Sequence, residues 1–224
     1  MTIGLRMRPI TRRATPAQCA RAAKLPAANI GDVMNRMQTM RGGFAPYGGK
    51  RIIAGPAFTV RSRSGDNLML HHAIDIAQPG DVIVADGGGE LAIAMTGELM
   101  MGHAAKRGIQ AVIIDGAIRD KAELADMDIG IWACGVTPSG PYKDGPGEIG
   151  TPCSCGGQVV MPGDLIMADA DGVVVIPYDE IETVLAAAEA HHAKEIKAVA
   201  EIQAGTYDRA WVTASLKSKG FEGL

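Results

Sequence analysis

The sequence predicts an α/β fold, and three observations carry the prediction. Short apolar runs that read as buried strands, such as Val82 to Ala85, Ala111 to Asp115 and Gly172 to Ile176, are separated by stretches with helical spacing. A phrase, Pro79-Gly80-Asp81-Val82-Ile83-Val84-Ala85-Asp86, returns as Pro162-Gly163-Asp164-Leu165-Ile166-Met167-Ala168-Asp169. Apolar residues make up 47% but aromatics only 4%, so the core must be built from Ala, Val, Ile, Leu and the 12 Met. Such a core suits packed layers of helix and sheet.

A chain of 224 residues can bury one sizeable core, and no linker-like stretch divides it. One domain over 1–224 is expected, with N-terminal helices over about 15–37, a core over about 50–178 and a C-terminal helix over about 179–204. Thr15 can cap a helix with Pro16 in its first turn, running to about Lys24, and Asn29 to Met37 reads as a second short helix. After the Gly/Pro-rich stretch 42–49, Ile52-Ile53-Ala54 and Ala57 to Arg63 read as two strands. Asp66 then caps a helix through Ala77. In each copy of the repeated phrase, proline presets the second position of a tight turn and glycine supplies positive φ at the third. Two copies are too few for a stacked-repeat architecture, so they imply a strand-rich layer built from two similar arms. Asp179 is expected to cap a long helix to about Ala204, and the tail 207–224 shows no clear pattern.

With 22 basic against 25 acidic residues and a net charge of −3, no global field attracts nucleic acid or an anionic membrane. Small molecules and further copies of the chain are the expected partners. Cys19, Cys134, Cys153 and Cys155 are too few and too unevenly spaced for a disulfide framework, and Cys153-Ser154-Cys155 lacks a second pair at zinc-site spacing. Residues 1–13 are basic without an apolar segment, and no run reaches the roughly eighteen apolar residues of a membrane span, so a soluble cytoplasmic protein is expected.

The segment Gly97-Glu98-Leu99-Met100, followed later by Asp115-Gly116-Ala117-Ile118-Arg119-Asp120, is the most informative. Glu98 to Gly108 reads as a helix opened by Gly97. About ten helical residues advance roughly 15 Å, and about five strand residues running back cover roughly 16 Å. Arg119 and Asp120 should therefore return to the helix start, where the N–H groups of Leu99 and Met100 are free. Such a set can bind a small carboxylate through Arg119 and the amides while Asp120 and Glu98 hold a hard divalent cation. An Arg-Asp pair after a strand is often only a solvated turn. What favours a site is its coincidence with Glu98, the helix start and the Asp115-Gly116 turn.

Glu98 and Arg119-Asp120, with residues 99–118 between them, resemble the signature of the RraA-like family. That family includes class II 4-hydroxy-4-methyl-2-oxoglutarate / 4-carboxy-4-hydroxy-2-oxoadipate aldolases and regulators of ribonuclease E activity. The likeness runs from about Ile30-Gly31-Asp32 through Gly55-Pro56-Ala57, Pro79-Gly80-Asp81, the site and Gly163-Asp164 to Asp171-Gly172-Val173 and the final helix. The family pattern places glycine four residues before the acidic residue, where this chain has Ala94. The resemblance implies a swivelling β/β/α fold of phosphohistidine-domain type, assembled as a homotrimer or homohexamer. It also implies a metal-dependent aldolase that releases pyruvate from a 4-hydroxy-2-oxo acid and decarboxylates oxaloacetate as a side reaction. In that scheme Asp120 ligates Mg²⁺ or Mn²⁺ directly, Arg119 contacts the pyruvyl oxygens, and the main chain of Gly97, Leu99 and Met100 fixes the carboxylate. Glu98 acts through water, as does Glu195 of a neighbouring copy. The alternatives are a non-catalytic regulator docking on ribonuclease E or an RNA helicase, and a methyltransferase, for which no cofactor-binding glycine loop is found.

Other candidates read as follows. Asp115 is a candidate further metal ligand or a turn former, and is read as supporting the site from behind. Glu123, Asp126 and Asp128 form a solvated face. Gly87-Gly88-Gly89 matches no nucleotide-binding spacing and lets backbone approach the site. His71-His72 and His191-His192 are surface or interface residues, since adjacent helical side chains diverge by about 100°, and His103 lies too far along its helix. Lys143, in the loop 139–147, either meets a distal substrate carboxylate or belongs to a surface crossover.

Overall fold

In the computed structural model, which describes residues 2–223, the apolar runs form strands and the stretches between them mostly form helices. In chain order these are β1 (Leu5–Met7), α1 (Pro16–Ala22), α2 (Ala27–Val33), β2 (Ala45–Pro46), β3 (Ile53–Ser62) and α3 (Leu68–Ile76). There follow β4 (Val82–Thr96), α4 (Glu98–Lys106), β5 (Ala111–Ile118), α5 (Lys121–Leu124), β6 (Gly130–Val136), β7 (Gly147–Ile149), β8 (Cys153–Cys155) and β9 (Gln158–Val160). The chain ends with β10 (Leu165–Asp169), β11 (Gly172–Ile176), a short 3₁₀ turn, α6 (Ile181–Gln203) and α7 (Ala210–Ser218).

The main sheet has the order β1-β7-β3-β4-β5-β6-β2, with β10 joined to β3 and β11 to β10, while β8 and β9 form a separate hairpin. Strands β3 to β6 run parallel to one another, as the intervening helical crossovers require, while β7 and β10 pair antiparallel with β3 and β2 pairs antiparallel with β6. Alternation along the strands sorts their side chains onto two faces. Val60, Ile83, Val112 and Ile114 face Leu70 and Ile74 of α3 and Met101 and Ala104 of α4. Val82, Val84, Ile113 and Trp132 face Cys153, Cys155 and Val160 of the hairpin and Ile166 and Val175 of β10 and β11. The outward side of that strand pair, with Leu165, Met167, Val174 and Ile176, is covered by Ala22, Ile30, Leu185 and Ala188 of α1, α2 and α6. The layers realise the expected swivelling β/β/α architecture.

The two repeated corners flank β3. Gly80 and Gly163 have φ of 88° and 91° and feed β4 and β10. β4 pairs with residues 57–61 of β3, and β10 with residues 53–56. Pro56 therefore falls where one ladder ends and the next begins, so its missing N–H breaks neither, and β3 runs unbroken where two strands were expected. Asp81 accepts the Gln78 N–H at 2.8 Å and pairs with Arg13. Asp164 accepts the N–H groups of Met161 and Tyr178, both at 2.9 Å. Burial pushes both carboxyls above their usual value, against these bonds.

Several boundaries differ from expectation. α1 begins at the Thr15 cap as expected, with Gln18 completing a capping box, and ends at Ala22 rather than Lys24. α2 ends at Val33 rather than Met37 because Asn35 and Arg36 adopt left-handed φ of 56° and 62°. Asp179 does not cap α6, because both its oxygens are taken by Arg12 at 2.8 and 3.0 Å. β5 continues three residues beyond Asp115 to Ile118, and the tail contains α7. Ala94 is buried in β4 opposite Ala117, so a methyl group is accommodated where the family pattern has glycine. Among the described residues no helix is long and apolar enough to cross a membrane.

Candidate functional site

The extension of β5 delivers Arg119 and Asp120 to the start of α4. The Arg119 N–H donates to the Thr96 carbonyl at 3.0 Å, pinning the end of β5 to the end of β4. Asp120 takes a left-handed conformation, φ 57° and ψ 41°, which is uncommon outside glycine. Its Oδ2 accepts the N–H of Glu98 at 2.9 Å, so it serves as the cap that Gly97 cannot supply from a side chain. A Cβ on Gly97 would lie 2.2 Å from Asp120 Oδ2 and 2.9 Å from Arg119 Cγ. Glycine is required there by close approach, since its φ of −164° is ordinary extended backbone. Arg119 Nε stands 3.5 Å from the same oxygen. Among the described residues, Asp120 Oδ1 makes no hydrogen bond, and the N–H groups of Leu99 and Met100 find no acceptor.

These groups open onto a cavity of about 260 Å³ whose other walls are α3 and the loop 139–147. The loop is held rather than loose. Ser139 accepts the Ala94 N–H at 2.9 Å, and Tyr142 donates to Gly65 at 2.8 Å while accepting from Asn67 N–H at 3.0 Å. The buried Asp66 carboxylate accepts the N–H groups of Asp144 and Gly145 at 2.7 and 2.9 Å and that of Leu68 at 2.9 Å. Burial alone would raise the Asp66 carboxyl, but these three bonds and nearby Arg63 carry it below the usual value. The N-cap of α3 is Asn67 rather than the expected Asp66, which sits one residue earlier, takes the Leu68 N–H and anchors the loop. Lys143 consequently lines the same cavity as Arg119, and the loop is a wall of the site rather than a surface crossover.

From α3 come Asn67 and His71, one helical turn apart. Asn67 Nδ2 donates to the Met95 carbonyl at 2.9 Å and contacts Met100 Sδ at 3.2 Å. Its Oδ1 and the Thr96 hydroxyl are buried without hydrogen-bond partners. Burial, then the nearby Lys143 charge, pushes the His71 pKa down, with Asp75 opposing, which favours the neutral ring. Neither Asn67 nor Thr96 is singled out by the sequence, and His71, expected at a surface or interface, lies instead in the cavity wall. The one signal was the four-residue spacing of Asn67 and His71 at a helix start, hidden by the adjacent His72.

Arg119, Asp120, Gly97, Leu99 and Met100 are thus brought together as expected. Glu98 joins only through its N–H. Its side chain is exposed and outside the cavity wall, because the main-chain donor points along the helix axis while the side chain radiates from it. The expected convergence of two carboxylates therefore does not occur within one chain, and among the described residues no group of three or more His, Cys, Asp or Glu is placed to hold a metal. Glu195 lies on α6 away from this cavity, accepting from Asn29 Nδ2 at 2.6 Å. Asp115 is not behind Asp120. It projects from the opposite face of β5 and accepts from Arg41 at 2.5 Å and from Gly156 N–H at 2.8 Å. Gly87 to Gly89 lie inside β4 beside Met95 and Asp115, not at the cavity. His103 pairs with Asp75 at 3.1 Å.

Comparison with known proteins places the chain in a family. Residues 27–175 match the family described as RraA-like, Aldolase/RraA. The chain is 40% identical over 161 residues to a Halalkalibacterium halodurans protein provisionally named 4-hydroxy-4-methyl-2-oxoglutarate aldolase, covering 72% of this chain and 77% of that one. A solved structure from Geobacillus kaustophilus, described as an S-adenosylmethionine: 2-dimethylmenaquinone methyltransferase, superposes with a TM-score of 0.66 at 37% identity over 70% of this chain and 98% of that one. The RNA-processing inhibitor RraA from Thermus thermophilis does so with a TM-score of 0.63 at 31% identity, over 68% and 92%. The match spans β3 to β6, the Glu98 helix start and the Arg119-Asp120 corner, and the chain belongs to the RraA-like family.

Proposed function

We propose that this chain is a divalent-metal-dependent class II pyruvate aldolase. It would cleave a 4-hydroxy-2-oxo acid of the 4-hydroxy-4-methyl-2-oxoglutarate or 4-carboxy-4-hydroxy-2-oxoadipate type to pyruvate and a second carbonyl compound, with oxaloacetate decarboxylation as a side activity. The observation that carries the reading is the half-used carboxylate of Asp120. One oxygen is fixed by the α4 N-terminus with the Arg119 guanidinium 3.5 Å away, and among the described residues the other makes no hydrogen bond and the two N–H groups have no acceptor. A single carboxylate oxygen facing a polar cavity suits a hard cation such as Mg²⁺ or Mn²⁺, which keeps water for its remaining ligands. When bound, the cation supplies Lewis acidity toward the 2-oxo group.

The remaining work falls to the chain. The N–H groups of Leu99 and Met100 hold the substrate C1 carboxylate at the positive end of α4. As the C3–C4 bond breaks, its electron pair moves toward the 2-oxo oxygen, and the Arg119 guanidinium stabilises the charge growing there. Within one chain the Glu98 side chain lies outside the cavity wall. Its proposed role, holding the water that takes the 4-hydroxyl proton, therefore belongs to the assembled protein, where Glu195 of a neighbouring copy would act through water on the same site. The water that takes the 4-hydroxyl proton then returns a proton to C3 to give pyruvate. Completion by Glu195 requires assembly, as a homotrimer or homohexamer, and the setting is cytoplasmic.

The second reading, a protein-binding regulator without turnover, has the Thermus relative behind it. A methyltransferase reading is not supported at Gly87 to Gly89, which form part of a strand rather than a strand-to-helix cofactor turn. The experiment is pyruvate release from the two hydroxy acids and from oxaloacetate, with Mg²⁺ or EDTA. Release that EDTA abolishes is expected. No release from any of the three overturns the aldolase and favours the regulator.

A further inference from the structure

A larger cavity lies away from the Asp120 corner. It encloses about 570 Å³ between α1, β3, the Pro79-Gly80-Asp81 corner and Gln110, and shares no lining residue with the Asp120 cavity. That volume falls in the ordinary range for a small-molecule site, roughly 300–1,000 Å³. Its walls are mostly apolar, with Pro16, Ala20 and Ala23 on the α1 side and Ala54, Pro56 and Pro79 opposite. Cys19 belongs with them, since burial pushes its thiol up to about 11 and keeps it protonated.

The polar groups are few, and one of them is half used. Arg13 Nη1 pairs with Asp81, whose other oxygen accepts the Gln78 N–H at 2.8 Å, so both carboxylate oxygens are engaged. Arg13 Nε and Nη2 find no acceptor among the described residues, and with the side chain 23% exposed neither atom is sealed from solvent. These two N–H groups share the guanidinium edge that grips a carboxylate through parallel hydrogen bonds. The edge is also held in place. The Ala14 N–H donates to the Gly163 carbonyl at 3.2 Å, and the Thr15 capping box starts α1 one residue later. Arg13 is thus strung between the two Pro-Gly-Asp corners, and its free edge is set before any ligand arrives.

The chemistry of the occupant follows. An ammonium group would meet the Arg13 charge and find both Asp81 oxygens engaged. A sugar or nucleotide would press many polar groups against alanine methyls and proline rings, at a cost for each one left unpaired. A carboxylate completes the Arg13 edge, and an aliphatic body gains from each methylene it buries against the apolar walls.

We propose that this cavity is a second ligand site, which takes a monocarboxylate with an aliphatic body, its head on the Nε and Nη2 edge of Arg13 and its chain between α1 and β3. The proposal stands apart from the aldolase reading, which uses none of these residues.

The probe is sodium octanoate, titrated calorimetrically into the full chain, with octanamide and octylamine as neutral and cationic counterparts. Wild type is compared with Arg13→Lys, Ala20→Trp and Arg119→Ala, each checked for folding by thermal melting. Lysine keeps a charge for Asp81 but loses the second edge. Tryptophan at position 20 fills the cavity and leaves the Arg13–Asp81 pair alone, and Arg119→Ala reports any octanoate bound in the Asp120 cavity instead. One saturable octanoate site per chain is expected in wild type and Arg119→Ala, weakened at least about tenfold in Arg13→Lys and lost in Ala20→Trp. Octanamide and octylamine are expected to bind wild type at least about tenfold more weakly than octanoate. No saturable octanoate binding by wild type overturns the proposal, and is the result that a cavity covered by a second copy of the chain would give. Octanamide binding as tightly as octanoate overturns it too, as does octanoate binding that Arg119→Ala removes or that either Arg13→Lys or Ala20→Trp leaves unmoved. Should Arg13→Lys fail to fold, Ala20→Trp and the octanamide comparison decide.

Discussion

The Pro-Gly-Asp corners and the Arg119-Asp120 corner each place an aspartate beside a strand end, yet they use it differently. At Asp164 both oxygens are taken by main-chain donors, and at Asp81 by a main-chain donor and Arg13. Both side chains are buried, and each carboxylate ties its own corner to neighbouring chain. Asp120 is held just as firmly through Oδ2, in a left-handed conformation and against a glycine, but its Oδ1 is left unbonded among the described residues. A carboxylate whose whole bonding capacity is spent on its own fold is structural. One that is positioned at some conformational cost and then left half-used is poised for a ligand.

Substitutions can break that contrast. Asp120→Asn should lower pyruvate formation roughly 10³-fold, the scale on which transition-state electrostatics are lost, while the melting temperature hardly moves. Steady-state kinetics and calorimetry on one preparation check both halves. Gly97→Ala comes next. Its Cβ would fall 2.2 Å from Asp120 Oδ2, so the carboxylate must shift, and a displacement of about 1 Å can cost roughly 10²-fold in rate. Asp164→Ala should do the reverse of Asp120→Asn. It removes the acceptor of two part-buried N–H groups at about 1 kcal/mol each, lowering the urea midpoint, with activity per folded molecule retained.

The smallest effect sharpens the contrast through pH. The Asp66 carboxyl is held below its unfolded value of about 3.9, so its stabilisation is fully present above that pH and is lost as pH falls through the lower folded value. The stability gap between wild type and Asp66→Asn should therefore be constant above about pH 5 and narrow toward pH 2. A gap that widens toward acid would mean that the three N–H bonds do not govern this carboxyl.

Much of this was legible in the sequence, because local signals and tertiary structure agree. The apolar runs of β4, β5 and β11, the Thr15 capping box and both Pro-Gly corners were readable from propensity and turn chemistry alone. Glu98 to Asp120 worked because helix rise and strand rise nearly cancel, which returns the chain to its starting point whatever lies around it. Four features were not legible, each for a tertiary reason. Pro56 suggests a break, but it sits between two ladders that do not need its N–H. Strand parity sends Asp115 toward Arg41, on the side away from Asp120. Helix geometry turns the Glu98 side chain outward while its amide binds. Asn67 and Thr96 carry no motif at all, and their place in the cavity wall comes from the way β4, α3 and the loop 139–147 close together.

The most direct test of the spare oxygen at Asp120 is a Mn²⁺ titration followed by electron paramagnetic resonance of the free ion, on wild type, Asp120→Asn and Asp164→Asn. One site per chain is expected in wild type and in folded Asp164→Asn, and is expected to be lost in Asp120→Asn. Undiminished Mn²⁺ binding by Asp120→Asn would contradict the assignment of this corner as the metal site.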